Sequence, residues 1–370
     1  MKLQQVIQVL NELANEALAE PWDRVGLALG DPAWALTRAM LCIDLTEPVL
    51  AEAIAKGVNL IVAYHPPIFT PLAAVTAGDP KQRIILESAC HRIALYSPHT
   101  ALDAAKYGVN DWLAAGMGKG QVRMIQSRTA DDTQYKIVTF VPHQAADRVR
   151  RMMSQAGAGR IGEYALCSYN LEGFGTFKGG PATHPTVGRP GRLKRAAELR
   201  IEMVCPHSKL NDVAGALVKV HPYEEPAYDV YPLKLINHDE TVGQGRIVQL
   251  DKAVTPAVLI GRIKKLLGVS HVEVAQPTPA RRSIGRVGLC PGAGGSLLEN
   301  TNNLDAFVTG EMRHHDILAA TMNGLLVILA GHTQTERPYL PVYRKRIMQT
   351  AAASVQWIIS RTDRPVSLSV

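Results

Sequence analysis

The sequence predicts an α/β protein in which a discontinuous α/β domain is interrupted by a ferredoxin-like α+β insert. Three observations lead there. Short apolar, β-branched runs alternate with amphipathic segments at both ends of the chain, the pattern of parallel βαβ units. Two of those runs are near-copies: Gly57-Val-Asn-Leu-Ile-Val-Ala-Tyr-His65 and Gly324-Leu-Leu-Val-Ile-Leu-Ala-Gly-His332 have equal length, open on Gly and end on His. Between them lies a block whose elements run β-α-β-β-α-β, the order of a ferredoxin-like unit. The repeats flank this block, so the outer segments make one domain: residues 1–125 and 246–370 enclose an insert at 126–245.

Residues 1–19 read as an amphipathic helix, with Leu3, Val6, Ile7, Leu10 and Leu13 at helical spacing. A turn-rich connection follows. Residues 39–44 read as a strand and 48–56 as a helix ended by Gly57. The next run is apolar on both faces, a central strand, and Pro66 and Pro67 stop its ladder. Residues 82–91 (helix), 93–96 (strand) and 111–115 (helix) complete the first segment. Residues 121–134 are polar and poorly periodic, as in a linker. In the insert, strands are expected at 136–141, 164–169, 198–204 and 228–233, and helices at 144–155 and 210–220. The Gly- and Pro-rich stretch 172–191 reads as a loop or hairpin. Beyond 245, a helix at 254–267, strands at 286–290 and 305–309, and a helix at 315–323 lead into the His332 run.

Composition narrows the function classes. The 370 residues are 46% hydrophobic and 20% charged, ordinary for a core-forming protein. Aromatics make up only 5%, too few to advertise a stacking platform for single-stranded nucleic acid. The formal charge of +7 favours anionic small molecules or weak nucleic-acid contact without deciding between them. No helix-turn-helix, zinc-finger or basic-helix pattern is present, so specific nucleic-acid binding is not expected. The five cysteines are scattered, with no Cys-x-x-Cys, which points to a reducing cytosol. No signal peptide and no run of about 20 apolar residues is visible, so a cytoplasmic protein without membrane spans is expected.

The chemistry concentrates at strand ends. His65, His99 and His332 each close a buried run, where open α/β sheets place their ligands. Two of them continue alike, His99-Thr-Ala-Leu-Asp103 and His332-Thr-Gln-Thr-Glu336, each adding a carboxylate four residues on. A lone His after a strand is usually a loop or cap residue. Three at the same kind of terminus suggest a metal site built of imidazole and carboxylate, the donors that suit Zn, Mn, Fe or Co.

Two weaker signals accompany it. Pro291-Gly-Ala-Gly-Gly-Ser296 enters a capping-box pattern, so Gly292, Gly294 and Gly295 form either an anion-binding turn or simply a tight strand-to-helix turn. It lacks the Gly-Lys-Ser/Thr of a Walker A loop. Glu311-Met-Arg-His-His315 follows another strand end at what reads as the same sheet edge. Glu311 and His315 are therefore candidates for the metal's second layer or for general acid–base work, or else for helix capping.

Tyr64-His-Pro-Pro-Ile-Phe69, Tyr96-Ser-Pro-His-Thr-Ala-Leu-Asp103, Gly108-Val-Asn-Asp-Trp-Leu113, Thr309-Gly-Glu-Met-Arg-His-His315 and Gly331-His-Thr-Gln-Thr-Glu-Arg337 resemble the Nif-three-like family. Its members are also known as dinuclear metal centre hexameric proteins or GTP cyclohydrolase type 2 homologues. Trp22-Asp-Arg-Val-Gly-Leu27 is similar to the family's N-terminal signature, with Arg24 where Asn is usual. The insert resembles the CutA/P-II-like domain of one branch, through Gly157-Ala-Gly-Arg-Ile-Gly162, Gly173-Phe-Gly-Thr-Phe177 and His221-Pro-Tyr-Glu-Glu-Pro-Ala227.

The resemblance implies metal ligands at His65, Asp103, His332 and Glu336, with Glu336 bridging two divalent ions (Zn, Mn or Fe). Tyr64 stands where many members have a ligating His, which bears on the second ion. It also implies a homo-oligomer, a hexamer, and a small anionic or nucleotide ligand. The expected function is a metal-dependent hydrolase of the GTP cyclohydrolase type 2 homologue kind. His99 or His315 would move protons, and Arg337 or the Gly292 turn would hold an anion. The alternative is a non-catalytic, metal-binding regulatory protein whose insert binds an effector.

Overall fold

A computed structural model describes residues 1–127, 134–233 and 242–365. The chain divides into two compact units, Met1–Ala130 with His238–Val370, and Asp131–Asn237.

The outer unit holds two sheets rather than one. The first runs Gly26–Leu29, Ala94–Ser97, Leu60–Ala63, Arg38–Cys42, Gln356–Ile359, parallel throughout except for its first strand. The second runs Glu273–Ala275, Leu326–Leu329, Ala306–Thr309, Ile284–Leu289, Gly243–Val254, Gly120–Ser127, with a parallel centre and antiparallel flanks. The two near-identical runs are interior strands, one in each sheet: Leu60–Ala63 is the middle strand of the first, and Leu326–Leu329 lies second from one edge of the other. Leu60–Ala63 is buried along its whole length and Leu326–Leu329 nearly so, because apolar side chains leave it on both faces. In the first sheet Leu41, Leu60 and Val62 pack on helix Leu3–Leu13, while Met40, Ile61 and Ala63 pack with helices Glu47–Ala55 and Pro80–Cys90. In the second, Val287, Val308 and Ile328 pack on helix Pro256–Leu267, and Phe307 and Val327 fill the other side.

The His runs therefore do not share a sheet edge, as their likeness suggested; they end two separate sheets. The expected linker differs too. Gly120–Ser127 is an edge strand paired with Gly243–Leu250, and it reads as polar because most of it is exposed. Residues 128–133 of that stretch lie outside the described residues. The first helix stops at Leu13, and a short 3-10 turn occupies Glu16–Leu18.

The insert keeps the expected order: Gln134–Val141, helix Ala146–Gln155, Tyr169–Lys178, Leu193–Pro206, helix Leu210–Val220, Tyr228–Pro232. Its antiparallel sheet runs second, third, first, fourth strand, the ferredoxin-like arrangement. Residues 164–168 make only a turn and an isolated bridge, and strand begins at Tyr169; in the stretch 172–191, 172–178 continue that strand and the rest is the loop of its hairpin with Leu193–Pro206, as expected.

Two polar anchors fix the outer unit. Arg246 is fully buried; its Nε donates to Asp111 Oδ1 at 2.6 Å and Nη1 to the carbonyls of Gly243 and Gly245. This is what Asp111 does in the Gly108-Val-Asn-Asp motif. Near the end of the described chain, Glu52 accepts from Ser360 Oγ, the Arg361 and Thr362 amides and Lys56. Burial pushes the Glu52 carboxyl up, but these donors prevail and hold it at about 2.

Removing one partner of a buried ion pair strands the other. Asp111→Ala should therefore cost about 3–5 kcal/mol in urea unfolding. A carboxyl with a depressed pKa contributes stability above its unfolded value and loses it as pH falls. Between the ordinary 4.5 and about 2, the wild type should lose stability more steeply than Glu52→Gln, read from melts across that window.

Candidate metal centre

Each functional side chain leaves the end of a strand. Tyr64 and His65 extend the Leu60–Ala63 ladder by two amides, which donate to Cys42 O (2.9 Å) and Ile43 O (3.1 Å) before the prolines break away. His332 comes just after Gly331, whose φ of +87° turns the chain at the end of Leu326–Leu329. His99 opens the short helix His99–Ala104 with φ +23°, a strained value of the kind tolerated where a side chain must be aimed. One turn along that helix stands Asp103; one turn past His332 stands Glu336.

These residues converge. His65, His332 and Glu336 each offer a donor atom within 4.8 Å of the others, and they form the one such group of three among the described residues. The Nε2 atoms of His65 and His332 lie 3.4 Å from Oε2 and Oε1 of Glu336, and the two rings are 5.4 Å apart. Glu336 is 3% exposed, and its Oε2 has no hydrogen-bond partner.

Each imidazole is held from behind. Nδ1 of His65 lies 2.8 Å from Asp44 Oδ1, Nδ1 of His332 lies 3.0 Å from Glu311 Oε1, and Nδ1 of His99 lies 2.8 Å from Asp23 Oδ1. A carboxylate on Nδ1 fixes the ring and leaves Nε2 with its lone pair free, the usual backing of a metal-bound His.

The charges respond to this. Burial works against protonation of His65, but the nearby carboxylates of Asp44 and Glu336 prevail and lift its pKa to about 10, so the ring lies in strongly negative surroundings. Burial likewise pushes the Asp23 and Asp44 carboxyls up, yet His99 and His65 draw both below the usual carboxylate value.

Asp103 and Tyr64 stand beside this group. The Tyr64 hydroxyl donates to Asp103 Oδ1. Burial, then the Asp103 charge, pushes the phenol well up, which keeps the Tyr64 hydroxyl a donor to Asp103. Burial lifts the Asp103 carboxyl to about 7. The His99 ring lies 5.3 Å from that of His65. One cavity of about 830 Å³ is lined by His65, His99, Asp103, His332 and Glu336, with Trp22 and Phe69 on its rim.

Of the two readings of the glycine turn, its contacts fit the tight strand-to-helix turn. The Gly292 and Gly294 amides donate to the hydroxyls of Thr335 (2.9 Å) and Thr309 (3.0 Å), so neither faces an anion. What glycine supplies is space. A Cβ on Gly292, at φ +60°, would lie 2.7 Å from Glu336 Oε1 and 3.2 Å from His332 Nε2. Gly295 lines a neighbouring cavity instead. His315 is exposed beside His314 and outside the cluster. The Arg337 guanidinium is bonded to the Asp363 carboxylate.

Asp23 and Asp44 were not singled out by the sequence, although both had a signal. Asp23 lies in the Trp22-Asp-Arg-Val-Gly-Leu27 segment, and Asp44 stands just past the Arg38–Cys42 strand, at the same kind of terminus as His65. Asp44 is itself held in place, since Asp363 accepts from the amides of Ile43 (2.7 Å) and Asp44 (3.4 Å).

Fold and site together define an α/β protein with a His/carboxylate cluster between two sheet ends and a ferredoxin-like insert in the chain. A family model described as Duf34/NIF3 (NGG1p interacting factor 3) matches residues 1–365, and the chain belongs to that family. It is 37% identical over 331 residues to a GTP cyclohydrolase 1 type 2 homolog of Halalkalibacterium halodurans, covering 89% of this chain and 88% of that one. It is 33% identical over 368 residues to NIF3-like protein 1 of Mus musculus, covering 98% and 92%. The structure of a Bacillus cereus protein related to NIF3 aligns with a TM-score of 0.64 at 31% identity, over 100% of this chain and 99% of that one.

Gly292→Ala should lower stability by about 1–2 kcal/mol from its left-handed backbone alone. The crowded Glu336 carboxylate adds to this, and thermal unfolding of the metal-free protein reads the sum.

Proposed function

We propose that this protein is a divalent-metal-dependent hydrolase acting on a nucleotide or another phosphate-bearing small molecule. The observation that supports it most is the convergence of His65, His332 and the buried Glu336 carboxylate, their donor atoms within 4.8 Å of one another and both Nδ1 atoms already engaged. A buried carboxylate must be paired, and a cation shared with the two imidazoles would do this. His65, His332 and Glu336 would hold one divalent ion, Zn, Mn or Fe by donor type. A second ion would take Asp103 and the other face of Glu336, with Tyr64 committed to Asp103 as a donor. Such ions supply Lewis acidity and lower the pKa of a bound water from 15.7 toward about 7.

The chain's own residues complete the chemistry. His99, steadied by Asp23, is placed to pass a proton between water and leaving group. Trp22 and Phe69, their rings 6.0 Å apart, give the cavity rim an aromatic wall suited to a planar base. The name GTP cyclohydrolase 1 type 2 homolog carried by relatives is consistent with a purine nucleotide.

Protein loaded with Mn, Zn or Fe should turn over GTP or a phosphate ester, and His332→Ala should abolish that turnover in a steady-state assay. Ion binding without turnover across a metal and nucleotide panel would favour the regulatory reading. Asp44→Asn, which removes the backing of His65, should weaken metal affinity by about 10–100-fold in a chelator competition.

A further inference from the structure

The insert has a cavity of its own, about 660 Å³, which the metal chemistry does not use. Ile201, Met203 and Cys205 of the long strand pack on the insert's helices, so Glu198, Arg200 and Glu202 stand on the opposite face of the sheet. The cavity opens over that face. Two motifs left unexplained so far wall it: the His221-Pro-Tyr-Glu-Glu-Pro226 turn and the Gly173-Phe-Gly-Thr-Phe177 stretch of the facing strand.

At its base lies Glu198, only 7% exposed. Oε1 accepts from the Tyr223 hydroxyl at 2.7 Å. Burial, and then this bond, raises the Tyr223 pKa, which keeps the phenol a donor. The turn is rigid: the Tyr223 amide donates to His221 Nδ1 at 3.1 Å, and His221 Nε2 lies 3.0 Å from the Phe140 carbonyl oxygen.

The other carboxylate oxygen has no hydrogen-bond partner among the described residues, and glycine makes its room. A Cβ on Gly175 would lie 2.2 Å from Glu198 Oε2, while one on Gly173 would meet nothing within 4 Å. Phe177 and Tyr223, centroids 6.1 Å apart, flank the space.

The sign of the charge is clear. Four glutamates line the cavity against Lys178 and Arg200, and Arg200 Nε already lies 2.9 Å from Glu202. No group of three metal-competent side chains occurs here among the described residues, so a divalent ion lacks its donors. A single buried carboxylate flanked by rings instead matches an ammonium on an apolar body.

We propose that the insert is a binding site for a small organic cation, a primary amine whose ammonium meets Glu198 and whose body lies against Phe177 and Tyr223. This does not depend on the metal centre. The test is calorimetric titration of the full chain with tyramine, and with 4-ethylphenol as the neutral counterpart of similar shape. Tyramine should bind saturably, one per chain, and 4-ethylphenol roughly tenfold or more weakly, the loss expected for a hydrogen bond to a charged group.

Glu198→Gln keeps an acceptor for Tyr223 but removes the charge, and Gly175→Ala fills the space beside Oε2. Both should weaken tyramine by a similar factor, whereas His332→Ala should not. The amine/phenol comparison needs no variant, so a folding defect cannot mask the result. No saturable tyramine heat, equal affinity for the neutral compound, or unchanged affinity in a folded Glu198→Gln protein would each overturn the proposal.

Discussion

A carboxylate with 3% exposure must be compensated, and Glu336 is compensated by two imidazoles from opposite ends of the chain. Leaving such a charge alone costs several kcal/mol, so the two sheets are constrained to present their carboxyl ends to each other. Other features follow from that requirement. Asp44, Asp23 and Glu311 turn the rings, Gly292 lacks a Cβ and so leaves room for Glu336 and His332, and Thr335 and Thr309 hold the glycine turn there. The local strain at His99 fits the same scheme.

The central strands and their terminal histidines were legible because burial on both faces leaves an unbroken apolar run, and Pro or Gly marks where it ends. Pairing of the runs into one sheet or two was not legible. A parallel strand's sequence records that it is buried, not which strand lies beside it. Gly120–Ser127 was read as a linker because an exposed edge strand has the composition of a loop. The insert's hairpin was shortened for a related reason: Gly173 and Gly175 look like turn residues, yet they sit in the strand to clear space on one face. Of the three backing carboxylates, Glu311 was picked out by its place after a strand end, whereas Asp23 and Asp44 were missed because one acid between strands has no periodicity to betray it. Tyr64 needed the structure most, since only the structure shows that its hydroxyl is bonded to Asp103.

The two units use opposite chemical solutions. The outer one gathers several nitrogen and oxygen donors around a point, a geometry that selects hard or borderline cations. The insert sets one carboxylate among rings, where shape and an apolar body matter as much as charge. On the two proposals made above, such a chain would respond to two unrelated solutes without either competing for the other's donors.

Asp363 couples distant parts of the chain. It accepts the amides of Ile43 and Asp44, and the second of these contacts spans 319 residues. Asp44 in turn sets the ring of His65. The aim of this imidazole is thus fixed by a long-range tertiary contact, so a change at Asp363 would reach the cluster without altering any residue in it.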